Sequence, residues 1–226
     1  MVNASDIAAM GGRPTHFLVA LVVADGFDVD AFYDGALEAC EVLRADVVGG
    51  DLSSGPTTVV SVTALGHAER PVRRSGATVG ERVWASGPLG AANRDLRLLS
   101  DFGRVSEGRP SETRPKSERG AAHRRPTAYL GALPGSPTAM IDVSDGLIAD
   151  CAHIAAASGV RIALDDVPVA DGATIDDALH GGDDYVLVAC SHVAMEGWIP
   201  IGVCEAGHGV TYGGEAVEPR GWEHTL

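Results

Sequence analysis

The sequence is poor in basic residues, and lysine occurs only once, at Lys116. Its 226 residues include 17 Lys+Arg against 31 Asp+Glu, a formal net charge of −14. This balance argues against a protein that binds nucleic acid non-specifically or lies on an anionic membrane through a basic face. The longest apolar run, 17–24, is far shorter than the ~20 residues that span a bilayer, and MVNASDIAAMGG has neither the basic nor the apolar region of a secretory signal. We therefore expect a cytoplasmic protein without nucleic-acid or membrane partners.

Motifs of several common chemistries are also missing. The four cysteines, Cys40, Cys151, Cys190 and Cys204, form no C-x-x-C pair and no zinc-type spacing with histidine. The chain contains no P-loop, no kinase-type G-x-G-x-x-G, no H-E-x-x-H and no G-x-S-x-G. No disulfide framework is indicated, and we expect Cys40 and Cys151 to be buried as small apolar side chains.

The composition is that of a folded protein with one or two domains, since 45% of the residues are apolar. Alternating strand-like and helical segments indicate an α/β (α+β) architecture. A change of composition near 68–75 divides the chain into an N-terminal domain at 1–70 and a C-terminal domain at 71–226. Between 94 and 125 there are nine basic and five acidic residues and apolar periodicity is lost, so we predict a flexible insert at 94–126.

Apolar periodicity predicts the regular elements. The run 17–23 is interpreted as a strand buried on both faces, and 46–48 as a strand that ends in the turn at Gly49 and Gly50. Asp28 or Asp30 is expected to cap a helix that ends near Leu43. Further helices are predicted at 5–10 and 147–158, and further strands at 57–65, 82–86, 139–143, 161–164, 185–189 and 199–203.

Aspartates recur beside glycine or just after a predicted strand, at Asp6, Asp51, Asp142, Asp145, Asp183 and Asp184. Carboxylates at strand ends suit Mg²⁺, which takes one or two of them together with waters and substrate phosphates. The competing interpretation is that each Asp marks a turn or caps a helix, as Ser144 or Asp145 could for the helix that follows. That interpretation leaves Asp142 unexplained, because a lone carboxylate inside an apolar strand costs on the order of several kcal/mol unless it is paired or metal-bound.

A basic segment, RRSG at 73–76, offers a candidate anion clamp. Arginine can hold a phosphate through two parallel hydrogen bonds, which gives the segment a possible role in nucleotide binding. A solvated turn between two domains is the alternative, and the residues themselves do not decide between the two.

Six segments, taken in order, resemble the thiamine-monophosphate kinases, which share a superfamily with aminoimidazole-ribonucleotide synthetase and selenophosphate synthetase. They are VNASDIAAMGG, VVGGDLSSGP, RRSGATVGERVWASGPLG, AMIDVSDGLIADCAHIAAASGVRI, LHGGDDYVLV and GWEHTL. The resemblance runs over nearly the whole chain except roughly 94–126. Each segment is weak alone, but AMIDVSDGL followed by GGDDY and a final GWEH favours the thiamine kinase branch.

The resemblance implies ATP-dependent phosphorylation of thiamine monophosphate to thiamine diphosphate by a two-domain α/β enzyme whose N-terminal domains pair into a homodimer. It implies several Mg²⁺ ions and ATP as cofactor and co-substrate. Carried over residue by residue, the metal ligands are Asp6, Asp51, Asp142 and Asp145, and the nucleotide contacts are Tyr33, Gly50, Arg74 and Ser144. Substrate contacts are implied at Asp183, where the family usually has Glu, and at the aromatic Trp222.

The implied mechanism is direct in-line transfer of the γ-phosphoryl group to the substrate phosphate. No catalytic side-chain nucleophile is expected, because an already anionic phosphate oxygen attacks and the protein supplies positioning and charge neutralisation. Family members carry a segment before VN-x-SD that contributes further acidic ligands, and this sequence starts at Met1 without it. We therefore expect an incomplete N-terminal domain, a homodimer where that domain is complete, and an impaired activity.

Two alternatives stay open at this point. One is a related superfamily enzyme with another phosphate or carboxylate substrate. The other is a non-catalytic nucleotide- or Mg²⁺-binding remnant. A purely structural α/β domain would have to explain Asp142 in its buried strand.

Overall fold

The computed structural model describes residues 1–104, 126–129 and 131–220, without the side chains of 100–104. It divides into two compact units, Met1–Pro71 and Val72–Leu226. No helix within the described ranges is long and apolar enough to cross a membrane.

The first unit is a three-stranded sheet with two helices. Its elements are α1 (Val2–Ala9), β1 (Arg13–Val23), α2 (Val29–Leu43), β2 (Asp46–Ser54) and β3 (Val59–His67). The strand order is β2-β1-β3, with β2 parallel and β3 antiparallel to the central strand. The predicted cap of α2 is confirmed at Asp28, whose Oδ1 accepts a hydrogen bond from the Ala31 N–H at 2.9 Å.

Burial along β1 alternates, so the prediction of a strand buried on both faces is wrong. Phe17, Val19 and Leu21 are buried while Leu18 and Ala20 between them are exposed. The apolar run conceals this alternation because both faces carry aliphatic side chains. An uncovered face of the sheet is therefore rich in apolar groups.

The strand β2 does not end at its glycines, and this prediction is also wrong. Its residues pair with β1 through Gly49 and Gly50, with a register shift between Phe17 and Leu18. A Cβ at Gly50 would overlap the Val19 carbonyl group, and the φ of Gly50 is 150°. The glycine therefore allows close approach within the sheet instead of making a turn.

The second unit is built on a seven-stranded sheet. Its strands are β4 (Arg82–Ala85), β5 (Ala139–Asp142), β6 (Arg161–Leu164), β7 (Leu187–Ser191), β8 (Ile199–Glu205), β9 (Gly209–Tyr212) and β10 (Glu215–Ala216). The order is β10-β9-β6-β8-β4-β7-β5, antiparallel except for the pair β6 and β9. Its helices are α3 (Ala91–Arg104), α4 (Leu147–Ser158) and α5 (Ile175–His180).

The core of the second unit lies between this sheet and α4. Leu147, Ile148 and Ile154 are fully buried and face the sheet. Burial of a side chain of this size contributes about 1.5–3 kcal/mol. Cys40 in the first unit and Cys151 in α4 are buried free thiols, which confirms the expectation for both.

The predicted flexible segment 94–126 is wrong over its first part, because α3 continues through it to Arg104. Polar contacts hold this helix. Asn93 donates to Asp177 Oδ1 at 2.8 Å, and Arg97 forms an ion pair with Asp177 at 2.9 Å. The spacing of apolar residues does not indicate polar contacts of this kind, so the helix was not predicted. Residues 105–125 lie outside the described part of the chain.

Candidate functional site

The segment that leaves β5 carries two of the predicted metal ligands. Asp142 is the last residue of β5 and only 4% exposed, and no described residue donates a hydrogen bond to its carboxylate. Asp145 follows in the loop and is partly exposed. The N-cap of α4 is Gly146, with no side-chain cap, so the interpretation of Ser144 or Asp145 as a helix cap is wrong.

A buried carboxylate that belongs to none of the predicted site residues holds this loop in place. Asp150, 2% exposed in the first turn of α4, accepts hydrogen bonds through Oδ2 from the N–H groups of Ser144, Asp145 and Gly146 at 3.0, 3.0 and 3.1 Å. Burial raises the pKa of Asp150 to about 7, with smaller contributions from the Asp145 and Asp142 carboxylates. Three carboxylates thus lie within electrostatic reach of one another. The signal in the sequence was an Asp among the apolar residues of LIADCAHI.

A second loop, 181–185, lies against the first. The Asp183 N–H donates to the Ser144 carbonyl oxygen at 2.9 Å, and the Tyr185 N–H donates to the Val143 carbonyl oxygen at 2.8 Å. A Cβ at Gly182 would overlap the Ser144 carbonyl oxygen, and one at Gly146 would lie 2.9 Å from the carbonyl oxygen of His180. Glycine is therefore required for the two loops to interlock.

The two aspartates of GGDDY have different environments. Asp183 has a left-handed φ of 62° and its Oδ1 accepts the Tyr185 hydroxyl at 2.9 Å. Asp184 instead accepts the N–H groups of Gly90 and Ala92 at the start of α3, and burial raises its pKa. Asp183 is thus directed to the clefts described below, while Asp184 stabilises the helix start.

One cleft, of about 580 Å³, lies beside the first loop. Its lining includes Ser144, Asp145, His180, Asp183 and Arg220. Burial, with help from the positive charge of Arg220, lowers the pKa of His180, and no described residue bonds to its buried Nδ1. The cleft therefore presents hydroxyl, carboxylate, imidazole and guanidinium groups together.

A second cleft, of about 630 Å³, has a different character. Tyr129, Tyr185, Pro88 and Pro126 line it together with Asp183. The Tyr129 ring lies edge-on to Trp198 with centroids 5.3 Å apart, and its hydroxyl accepts from the indole N–H at 3.3 Å. Asp183 belongs to the linings of both clefts, so an apolar, aromatic pocket adjoins a polar one at this residue. Tyr129 was not predicted, because nothing in its sequence surroundings distinguishes it.

The structure brings Ser144, Asp145 and Asp183 to one cleft, with Asp142 at the start of the same loop. Arg74 lies elsewhere in the second unit. Its neighbour Arg73 pairs with Ala139, and its own carbonyl oxygen accepts from Ser158 Oγ at the far end of α4. Arg74 is therefore at the opposite end of β5 from Asp142.

The remaining predicted residues lie in the first unit or beyond the described chain. Asp6 is exposed on α1, and Asp51 is exposed on β2 beside Gly50. Tyr33 is half-buried on α2, with its ring edge-on to Phe32 at 5.3 Å between centroids. Trp222 lies outside the described residues.

Within the described ranges, no three His, Cys, Asp or Glu side chains are arranged to hold a metal ion by themselves. The donor chemistry still fits Mg²⁺. Asp142 and Asp145 offer hard carboxylate oxygens, and Mg²⁺ usually takes only one or two of these and completes its shell with waters and phosphates. The loop therefore suits a metal–phosphate complex and not an all-protein cage.

Comparison with known proteins gives a consistent result. Residues 1–68 match the family model described as AIR synthase related protein, N-terminal domain. The chain is 36% identical to the thiamine-monophosphate kinase of Aquifex aeolicus, covering 99% of this chain and 78% of that relative. It is 40% identical to the thiamine-monophosphate kinase of Mycobacterium tuberculosis, covering 88% of this chain and 64% of that relative.

A solved structure agrees with the predicted α/β fold class. AaThiL complexed with AMPPCP and TMP superposes with a TM-score of 0.87 at 35% identity, covering 99% of this chain and 78% of that one. These similarities extend through both units and through the motifs from which the resemblance was inferred. The chain therefore belongs to the thiamine-monophosphate kinase family.

Proposed function

We propose that this protein transfers the γ-phosphoryl group of ATP to thiamine monophosphate, with Mg²⁺ bound beside the loop that follows β5. The observation that carries the proposal is the meeting of two chemically different clefts at Asp183. Thiamine monophosphate has the same division, a cationic aromatic part joined to a phosphate. The related structure with AMPPCP, an ATP analogue, and TMP supports both substrates.

The aromatic cleft suits the heteroaromatic part of the substrate. Tyr129 and Tyr185 offer ring surfaces, which attract a cation through their quadrupoles. The Asp183 carboxylate supplies negative charge at the point where the two clefts meet. We assign Asp183 to the substrate and propose Trp222 as a further aromatic contact. Asp is one methylene shorter than the Glu usual in the family, so its contact has a shorter reach.

The polar cleft suits the phosphates. Arg220 can hold a phosphate oxygen by charge-assisted hydrogen bonds, and the imidazole ring of His180 lines the same cleft. Asp142 and Asp145 would hold Mg²⁺, which when bound neutralises phosphate charge and orients the transferred group. Asp6 and Asp51 are proposed as further metal ligands, and the nucleotide contacts are proposed at Tyr33, Gly50, Arg74 and Ser144.

The chain's own residues act in this reaction by binding and orientation. A terminal phosphate oxygen is already anionic near neutral pH, so no general base or side-chain nucleophile is required. The two interlocked loops fix the backbone on both sides of the polar cleft. Holding donor and acceptor phosphates in line accounts for a large part of the barrier reduction in such transfers.

The test is ADP formation by the purified chain with ATP, MgCl₂ and thiamine monophosphate, with thiamine diphosphate identified by mass spectrometry. We expect turnover that needs all three components. Asp142→Asn should reduce kcat by about 100-fold or more, as for loss of a group that stabilises transferred charge, while Asp166→Asn, at an exposed site outside both clefts, should not change it. Nucleotide binding without product would favour a non-catalytic nucleotide-binding protein, and ATP use with another acceptor would favour a different substrate.

We also propose that the chain forms a homodimer through the sheet of the first unit. In the register of that sheet, Leu18, Val59 and Leu65 share one face and are exposed, whereas the exposed Leu52 and Val60 share the opposite face with Leu21. Exposed aliphatic side chains such as those on the Leu18 face are typical of an interface, and the family resemblance identifies a second copy as its occupant. Light scattering after size exclusion should show a dimer that Leu18→Glu dissociates. A wild-type monomer at micromolar concentration would contradict the proposal.

A further inference from the structure

We propose that Asp150 is the positioning residue that holds the loop 142–146 in its cation-binding conformation. The inference rests on the proposed Mg²⁺ site at Asp142 and Asp145. Asp150 touches neither ATP nor thiamine monophosphate in this role and acts only through the backbone of the loop. It is separate from every residue that the family resemblance assigned to the site.

The geometry of Asp150 is specific. A single oxygen, Oδ2, accepts three consecutive backbone N–H groups, from Ser144, Asp145 and Gly146, at 3.0–3.1 Å. Consecutive N–H groups that converge on one point form a nest for an anion. Here the nest is filled by a side chain of the same unit that is 2% exposed. The loop's anion-binding groups are therefore occupied from within the protein.

This occupancy has a chemical consequence for the site. In phosphate-binding loops the backbone N–H groups contact the phosphate directly. In this loop the three N–H groups point to Asp150, so the loop presents the Asp145 carboxylate and the Ser144 hydroxyl to the polar cleft. A phosphate can then be held at this loop through a cation and not through the amides. Because Asp150 accepts these three N–H groups, they are not available to bind a phosphate. The loop is therefore suited to binding a metal ion through its side chains.

Because all three bonds end on one oxygen, asparagine provides a matched variant. The amide oxygen of Asp150→Asn can accept the same three hydrogen bonds while the charge is lost. Asp150→Ala removes the acceptor and leaves three N–H groups facing a buried void. A positioning role predicts that Asn is tolerated and Ala is not, whereas a role of the carboxylate charge predicts that both fail.

The experiment is isothermal titration of AMPPCP into the full chain and its variants, at several Mg²⁺ concentrations. We expect the Mg²⁺ concentration needed for half-maximal AMPPCP binding to rise by about 10- to 100-fold in Asp150→Ala, as for loss of a group that orients metal ligands. We expect it to stay within about threefold of wild type in Asp150→Asn and unchanged in the exposed control Asp166→Ala. Sodium formate, a small anion that can fill the vacated nest, should restore part of the Mg²⁺ response of Asp150→Ala.

The outcomes separate this inference from the proposed function. If wild type and Asp142→Asn bind AMPPCP equally at all Mg²⁺ concentrations, the proposed metal site is wrong. If wild type responds to Mg²⁺ and a folded Asp150→Ala protein responds equally, the positioning role is wrong. Should Asp150→Ala fail to fold, Asp150→Asn decides alone, since a loss of Mg²⁺ response above about tenfold in this isosteric variant would overturn positioning through the oxygen.

Discussion

Replacing Gly182 by alanine tests whether the two loops of the second unit must interlock. A Cβ at this position would overlap the Ser144 carbonyl oxygen and lie 3.2 Å from the Ser144 carbonyl carbon and 3.5 Å from Asp145 Cα. The φ of Gly182 is not in the left-handed region, so the local backbone itself accepts alanine. The obstacle is the backbone of the neighbouring loop, which no rotamer change can relieve.

The magnitude follows from two contributions. Overpacking of a tightly packed site costs about 1–3 kcal/mol. The Ser144 carbonyl oxygen that has to move also accepts the Asp183 N–H at 2.9 Å, and loss of such a bond adds about 1 kcal/mol. Gly182→Ala should therefore lower the free energy of unfolding of the second unit by about 2–4 kcal/mol. A shift of about 1 Å in the cleft should lower kcat/KM by about 100-fold.

Urea unfolding followed by tryptophan fluorescence measures the first effect, because Trp84 and Trp198 are both buried in the second unit. Initial rates of thiamine diphosphate formation measure the second. Gly35→Ala in α2 is the matched control, since its Cβ would meet nothing within 4 Å and alanine favours a helix by about 1 kcal/mol. A Gly182→Ala protein with wild-type unfolding and wild-type kcat/KM would refute the interlocking of the loops.

Three further changes give distinct expectations. Asp184→Ala removes the acceptor for the Gly90 N–H at the start of α3 and should cost about 1–2 kcal/mol in urea unfolding; an unchanged midpoint would contradict the capping role. Burial lowers the pKa of His180 in the folded protein below its usual 6.5. The unfolded chain therefore binds a proton at this residue more readily, and the free energy of unfolding decreases as the pH falls below 6.5. His180→Asn should accordingly flatten the acid side of the pH–stability curve, and a steeper curve would contradict this. Trp198→Phe removes the hydrogen bond to the Tyr129 hydroxyl and should raise the KM for thiamine monophosphate about fivefold without changing that for ATP; equal shifts in both would show a general loss of structure.

The helices and strands that were predicted correctly are those in which packing requires apolar residues at regular spacing in the sequence. The helix α2, the strands β3 to β8 and the helix α4 were recovered within a few residues of their bounds. The helix α5 was missed because it has six residues and is held by polar groups. Its start is a capping box between Thr174 and Asp177, a signal that T-x-x-D spacing carries but apolar periodicity does not.

The site was predicted unevenly for a similar physical reason. The family resemblance assigned Ser144, Asp145 and Asp183 to the nucleotide, the metal and the substrate of one active site. The structure brings these three residues to one cleft. Asp150 was missed because its function lies in accepting backbone hydrogen bonds, which depend on the loop conformation and not on residue type. Tyr129 was missed because the cleft that it lines is formed by segments distant in the sequence.

The buried carboxylates of this acidic chain differ in the hydrogen-bond donors that stabilise them. Asp150 accepts three backbone N–H groups, and Asp177 accepts from Thr174, Asn93 and Arg97. Each therefore has the donors that make burial of a carboxylate tolerable. Asp142 is 4% exposed, and no described residue donates a hydrogen bond to it. Since an uncompensated buried carboxylate is costly, this difference between Asp142 and the other two carboxylates is the reason for proposing that Asp142 and the neighbouring Asp145 hold a divalent cation.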